Sequence, residues 1–308
     1  MRSQKSMANE YETAIVGGGP AGLSGALVLG RCVRRVIMCD SGRYRNERSA
    51  ALHCYMGHDG VAPLQLYSDA RRQLERYDTV SVVNTTVNSI VAKRGGFVVQ
   101  TSEGWALHAR TVLLATGVID ELPSIEGIEA LFGKSVHVCP YCDGWEHRGA
   151  PIAVYGRGRK GADLALLLRQ WTDDVILCSA GPADLEEAQY RRLRSRGIRV
   201  SDHPVRKLHG AEGRLREIEF DDGARLPRAA LFFSTGQHQR SPLLESLGCA
   251  LNDDGGVRCT ENGESSIPGV FVAGDVSRDM QLAIMAAAEG ARAALAINKM
   301  LLIADGSL

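Results

Sequence analysis

Short apolar runs that stop at glycine alternate along this chain with longer stretches whose apolar residues recur at helical spacing. Thr13–Val16 is the first such run. Gly17-Gly18-Gly19-Pro20-Ala21-Gly22 breaks it, and Ala21–Leu29 follows as an apolar stretch. A run this short bounded by glycine predicts a buried strand, and the stretch behind it predicts a helix. Val36-Ile37-Met38-Cys39 predicts a second strand, ending in Asp40. Leu64–Tyr77 predicts an amphipathic helix. Val80–Val83, Val87–Val91 and Phe97–Gln100, with a turn at Lys93-Arg94-Gly95-Gly96, predict an antiparallel meander. Thr111–Leu114 is a buried strand closing on Ala115-Thr116-Gly117, and Leu231-Phe232-Phe233 before Ser234-Thr235-Gly236 repeats that ending. Between them, Val154-Tyr155-Gly156-Arg157-Gly158-Arg159-Lys160-Gly161 precedes an expected helix over Ala162–Trp171 and a strand over Val175–Cys178. Gly269–Asp275 predicts one more strand with an acid at its end. The last helix, expected from Met280 to Leu302, is apolar but interrupted by Glu289, Arg292 and Lys299.

The repeated order of glycine turn, meander and strand-plus-TG predicts an α/β chain with two Rossmann-like units, the second nested in the first. In such turns glycine lets backbone amides approach a pyrophosphate at the helix N-terminus. Gly17, Gly19, Pro20, Ala21 and Gly22 are the candidates in the first turn. Asp40 stands about twenty residues on, where a ribose-binding acid belongs. An ordinary turn with a surface aspartate is the bland alternative, but strand, turn, helix, strand and acid in register favour binding. Gly42-Arg43-Tyr44-Arg45-Asn46 suits either a cover over adenine and phosphates or a solvated loop. His53–Gly60, polar and punctuated by glycine, receives no chemical role.

Composition narrows the classes. The 308 residues suffice for two domains, and 36 basic residues balance 36 acidic ones. No global field therefore recruits nucleic acid or an anionic membrane. No apolar run reaches bilayer length, and Met1–Met7 lacks the apolar core of a signal peptide, so a soluble cytoplasmic protein is expected. Of 8 cysteines, only Cys139 and Cys142 form a close pair. Cys32, Cys39, Cys178 and Cys249 read as small core residues. No cysteine–histidine cluster has zinc spacing. CxxC in a cytosolic α/β context is a redox signature, against the alternatives of a structural disulfide or unrelated thiols. Its place between two dinucleotide turns suggests an electron path from cofactor to dithiol.

In chain order, GGGPAGL, ATG, CPYCDG and VAGDV resemble the low-molecular-weight thioredoxin reductase family over nearly the whole chain. Cys139-Pro140-Tyr141-Cys142-Asp143-Gly144-Trp145-Glu146 is similar to its divergent thioredoxin-reductase-like branch. The resemblance implies two nested dinucleotide-binding domains: 1–118 with 243–308 for FAD, and 119–242 for a second nucleotide and the CxxC. It implies a homodimer and a thioredoxin-like protein, or a small disulfide or dithiol, as partner. It also assigns residues. Asp275, after Gly274, would hold the FAD ribityl and pyrophosphate region, and Gly117 would lie beside the cofactor. Gln281 and Leu282 would open a helix aimed at the flavin. Cys142 would face the flavin, Cys139 would exchange with the external disulfide, and Asp143 would move the proton.

The second turn departs from that pattern. After Val175–Cys178 come Ser179-Ala180-Gly181-Pro182, with no acid for an NAD ribose and no arginines matching the family's grip on NADP. Gly156 and Gly158 remain, and Arg157, Arg159 and Lys160 lie in the turn itself, facing phosphates or solvent. Three variants stay open: NAD(P)H bound by unusual contacts; a second FAD, or nothing, with a donor such as ferredoxin; or flux in reverse, a dithiol oxidase using oxygen. The retained acid in CPYCD favours disulfide reduction. A flavin-binding redox sensor without turnover is the reading from another class, and a monooxygenase would not need the CxxC.

Overall fold

The computed structural model describes residues 10–277 and 280–308. Met1–Met7 lies outside the described residues. The chain opens with β1 (Glu10–Val16), α1 (Pro20–Arg31), β2 (Val36–Asp40), α2 (Pro63–Leu74) and β3 (Val80–Asn84). Hairpin strands β4 (Val87–Lys93) and β5 (Gly96–Thr101) follow, then the long β6 (Ala106–Leu114). Next come β7 (Val118–Asp120), the helical turn α3 (Ile128–Leu131), β8 (Val136–His137) and the helical turn α4 (Pro140–Asp143).

The second glycine turn lies between β9 (Ile152–Tyr155) and α5 (Gly158–Leu168). After them run β10 (Val175–Cys178), α6 (Glu187–Ser195), β11 (Arg199–Ser201), β12 (Val205–Ala211), β13 (Arg214–Phe220) and β14 (Arg225–Pro227). The chain closes with β15 (Ala230–Phe233), β16 (Gln237–Gln239), α7 (Leu243–Ser246), β17 (Val270–Val272) and α8 (Ala283–Ala304).

One sheet runs β3-β2-β1-β6-β5-β4, with β17 also on β6. The register explains how β6 serves three neighbours. From His108 to its end it pairs in parallel with β1; on its other edge the first half meets β5 antiparallel and the last three residues meet β17 in parallel. Val112, Leu113 and Leu114 are fully buried there, because a central parallel strand has both faces covered. The second sheet, β11-β10-β9-β15-β8, is parallel throughout, and β12-β13-β14 forms a separate antiparallel sheet. The two-stranded β7–β16 sheet stands apart from both. The two nested α/β units expected from the motif order are present.

Four local expectations change, one being that the last helix begins at Ala283 and not at Met280, so Leu282 is its N-cap and Gln281 precedes it. Val80–Val83 belongs not to the meander but to the parallel sheet, where β3 pairs with β2 from Val36↔Val80 to Asp40↔Asn84. Only β4, β5 and β6 make the meander. Strand spacing alone cannot distinguish these, since the partner comes from far back in the chain. The helix expected from Ala162 begins at Gly158 and ends at Leu168, so the glycines form its first turn. Cys32 is only partly buried, since it caps the end of α1; Cys39, Cys178 and Cys249 are buried.

Candidate active site

The first turn is built by close approach. Gly17 sits at φ +109°, and a Cβ there would overlap the Ala115 carbonyl oxygen. A Cβ on Gly22 would overlap the Gly17 carbonyl, so Gly22 works by packing and does not line the cavity. A Cβ on Gly19 would meet nothing. Gly19 precedes α1 without a side-chain cap, and Pro20 follows, leaving the first amides of α1 free of side-chain partners. They open on a cavity of about 1550 Å³ that is lined by Gly17, Gly19, Pro20 and Ala21. Gly117, Gly274, Asp275, Gln281 and Leu282 line it as well. The Thr116 hydroxyl, also on this wall, is buried without a protein partner. An uncapped helix start, an open glycine and a spare hydroxyl fit the pyrophosphate and sugar of a dinucleotide.

Asp40 lines the same cavity and is buried. Its Oδ1 accepts from the Gly42 amide at 2.9 Å, and its Oδ2 accepts from the Tyr44 hydroxyl at 2.7 Å and from Arg71. Burial, reinforced by Asp40, pushes the Tyr44 phenol up to about 12, so it stays a donor.

Arg45 is a residue whose part was not visible in the sequence. Its guanidinium pairs with Asp120 at 2.6 Å and with Asp275 at 2.9 Å, and donates to Gln281 Oε1 at 2.9 Å. Gln237 joins this group, donating to Asp120 at 3.1 Å and exchanging 2.8 Å bonds with Gln281. Burial works against the Arg45 charge, but the two carboxylates outweigh it and hold the guanidinium above its ordinary value. Sequence distance hides this group, because its members come from the β2–α2 loop, β7, β16 and the segment between β17 and α8.

Cys139 and Cys142 are joined by a disulfide with a Cα–Cα distance of 5.3 Å, and both line the cavity with Asp143. The reason is local: Cys139 is the N-cap of α4, Pro140 starts the turn, and the Cys142 amide donates to Cys139 Sγ at 3.2 Å. Beside it Tyr141 and Trp145 stand largely exposed, with Arg148 4.2 Å above the Trp145 ring. Asp143 Oδ1 is 3.3 Å from Nδ1 of the buried His137, whose Nε2 is 3.0 Å from Nε2 of His147. Burial first, and then His137, push His147 down to about 4, against the pull of Asp143. Neither histidine stands out in the sequence, since each sits singly among apolar or mixed neighbours.

The second turn is arranged differently. Gly156 and Gly161 pack on each other, Gly158 sits at φ +55°, and neither Gly156 nor Gly158 lines the cavity. Arg157 turns back over the end of β10, its Nε donating to the Ser179 carbonyl at 2.7 Å and its Nη2 to that of Ala180. It lies where a ribose acid would stand in a Rossmann unit. Arg159 is exposed and 3.4 Å from Asp163, and Lys160 alone of the three basic residues lines the cavity.

Residues 11–290 match the family described as pyridine nucleotide-disulphide oxidoreductase. A probable thioredoxin reductase of Arthroderma benhamiae is 31% identical over 303 residues, 88% of this chain and 75% of that protein. Thioredoxin reductase tcpT of Claviceps purpurea is 33% identical over 282 residues, 88% of each chain. The crystal structure of a putative thioredoxin reductase TrxB from Bacillus anthracis superposes with a TM-score of 0.91 at 30% identity, covering 96% of this chain and 99% of that one.

Proposed function

The chain belongs to the pyridine nucleotide-disulphide oxidoreductase family, among its FAD-dependent thioredoxin-reductase-like enzymes, and we propose that its Cys139–Cys142 disulfide passes an electron pair between FAD and an external disulfide. One observation carries the reading: the first glycine turn and the CxxC disulfide line a single cavity. FAD supplies two-electron chemistry when bound. Gly17, Gly19, Pro20 and Ala21 would hold its pyrophosphate, with Gly117, Gly274, Asp275, Gln281 and Leu282 along the rest of the molecule. Asp40, held by Tyr44 and Arg71, would stand on the side of its sugar.

The redox pair opens by cleavage of one S–S bond and formation of two thiols. The Cys142 amide aimed at Cys139 Sγ favours a thiolate on that sulfur, the one suited to exchange with an incoming disulfide. Cys142 is the sulfur we assign to the flavin side. Asp143, in the same helical turn, donates and recovers the proton. The exposed Tyr141 and Trp145 flank the pair and suit a thioredoxin-like protein or a small disulfide. Cytoplasmic location, a homodimer and the division into 1–118 with 243–308 against 119–242 belong to the same reading. Among the described residues, no helix is long and apolar enough to cross a membrane.

The electron donor is where Arg157 bears. Its bonds to the Ser179 and Ala180 carbonyls occupy the end of β10, and no acid stands there for a nicotinamide ribose. This favours a donor other than NAD(P)H, such as ferredoxin, with Gly156, Gly158, Arg159 and Lys160 holding no nicotinamide nucleotide. The same observation favours the second reading, dithiol oxidation with oxygen as acceptor. Anaerobic titration of the holoenzyme decides between them. The expected result is flavin bleaching by dithiothreitol and by reduced ferredoxin, and none by NADPH or NADH. Bleaching by a stoichiometric nicotinamide nucleotide would overturn the donor reading. Bleaching by a dithiol but not by ferredoxin, with fast reoxidation in air, would support the oxidase. A count of two flavins per chain would place FAD in the second unit.

A further inference from the structure

A line of titratable groups leads away from the redox pair, and the disulfide chemistry alone leaves it unused. Asp143 sits in the α4 turn with Cys142, His137 lies behind it on β8, and His147 follows in a single 3₁₀ turn at 145–147. His137 is almost fully buried, its ring held 5.2 Å from that of Phe232, while His147 is partly exposed. The nitrogens that face each other are 3.0 Å apart, so a single proton lies between them, donated by one ring and accepted by the other. With a carboxylate 3.3 Å from His137 Nδ1, the consistent arrangement is Nδ1–H of His137 toward Asp143 and Nε2–H of His147 toward His137 Nε2. The other charged groups near this line, Glu146 and Arg148, flank His147 in sequence. Glu146 lies 3.4 Å from His53, and Arg148 covers Trp145.

We propose that His137 and His147 form a proton relay that connects Asp143 to solvent and serves the Cys139–Cys142 pair. This rests on the redox role assigned to that pair above. Opening the disulfide takes two electrons and two protons; reduced FAD in its anionic form would supply the electron pair and one proton, and the relay carries the other. His137 gives its Nδ1 proton to the Asp143 carboxylate, which passes it to the nascent thiolate. His147 gives its Nε2 proton to His137 Nε2, and water protonates His147 Nδ1. One S–S bond has broken, the thiols carry both protons, and both rings have changed tautomer. When the pair is reoxidised by exchange, the line runs backwards and restores them. His137 and His147 touch neither substrate nor cofactor in this scheme, and they act through Asp143.

The test uses holoenzyme mixed anaerobically with dithiothreitol in a stopped-flow instrument, following flavin bleaching as electrons enter through the pair. His147→Gln keeps an amide donor for His137 but cannot pass a proton, whereas His147→Ala leaves room for added imidazole. A relay predicts that both variants bleach about tenfold slower or more, with flavin content unchanged and imidazole restoring the alanine variant. A glutamine variant at the wild-type rate, or an alanine variant that imidazole does not restore, overturns the relay. Should both variants lose flavin, the wild-type rate in mixtures of H₂O and D₂O decides. A bowed dependence on deuterium content supports several protons in flight, and a linear or flat one overturns it. Wild type that dithionite bleaches and dithiothreitol does not would overturn the redox role of the pair, and the relay with it. Normal wild-type bleaching beside a fast glutamine variant would overturn the relay alone.

Discussion

Arg45 shows what a single residue can conceal. Its loop reads equally well as solvated, yet its guanidinium ties Asp120, Asp275 and Gln281 together. Asp120 is almost entirely buried beneath it. Removing the arginine takes from the buried Asp120 carboxylate its 2.6 Å ion-pair partner. That typically costs about 3–5 kcal/mol, more than the intact pair contributes. Arg45→Met should therefore lower the urea midpoint of the holoenzyme by a corresponding amount and loosen its flavin. A variant within about 1 kcal/mol of wild type, with full flavin content, would mean that the group is solvated in solution. Asp275 and the CxxC were legible because each ends a glycine-marked pattern. Arg45, Asp120, His137 and His147 were not, because their partners lie far off in sequence or sit singly in mixed company.

At the level of elements, both glycine turns, the CxxC turn and the final AGD strand were readable from apolar runs stopped by small residues. Strand partnership was not. Val80–Val83 has the same composition whether it continues a parallel sheet or opens a meander, and only its register against β2 separates the two. The helix pair α1–α8 carries a second feature that composition hides. Gly290, in the middle of α8, lies so close to α1 that a Cβ would overlap the Ala21 carbonyl oxygen and come 2.7 Å from its carbon. Ala21 is in the first turn of α1, so this contact sets how α1 presents its amides to the cavity. Gly290→Val should force the two helices apart, with an overpacking cost of about 1–3 kcal/mol. Flavin affinity should fall along with stability, measured by fluorescence of released flavin against FAD concentration. A valine variant that loses stability but binds FAD as wild type does would separate the packing of α8 from the shape of the cradle.

Across the whole molecule, the chain passes between the two units through two short stretches, and β7 and β16 pair where it does so. Side chains also bridge them: Arg45 reaches Asp120, and Cys54 lies 3.4 Å from the Tyr141 carbonyl beside the disulfide. In the division we infer, FAD belongs to 1–118 with 243–308, so its binding energy should stabilise that unit and leave 119–242 nearly unchanged. Free ligand at a hundred times its Kd adds about 2.7 kcal/mol to the species that binds it and nothing to one that does not. The 3 tryptophans make the two units separately visible, because Trp105 lies in the first and Trp145 and Trp171 in the second. In a Trp105→Phe variant, tryptophan emission reports the inserted unit alone, while flavin emission reports the other. Stripping FAD should lower the melting transition of the flavin-binding unit, seen by circular dichroism, and leave the tryptophan transition in place. Returning FAD in tenfold steps should raise the first by regular increments. If tryptophan emission follows every increment, the side-chain bridges and the shared cavity bind the units into one cooperative body.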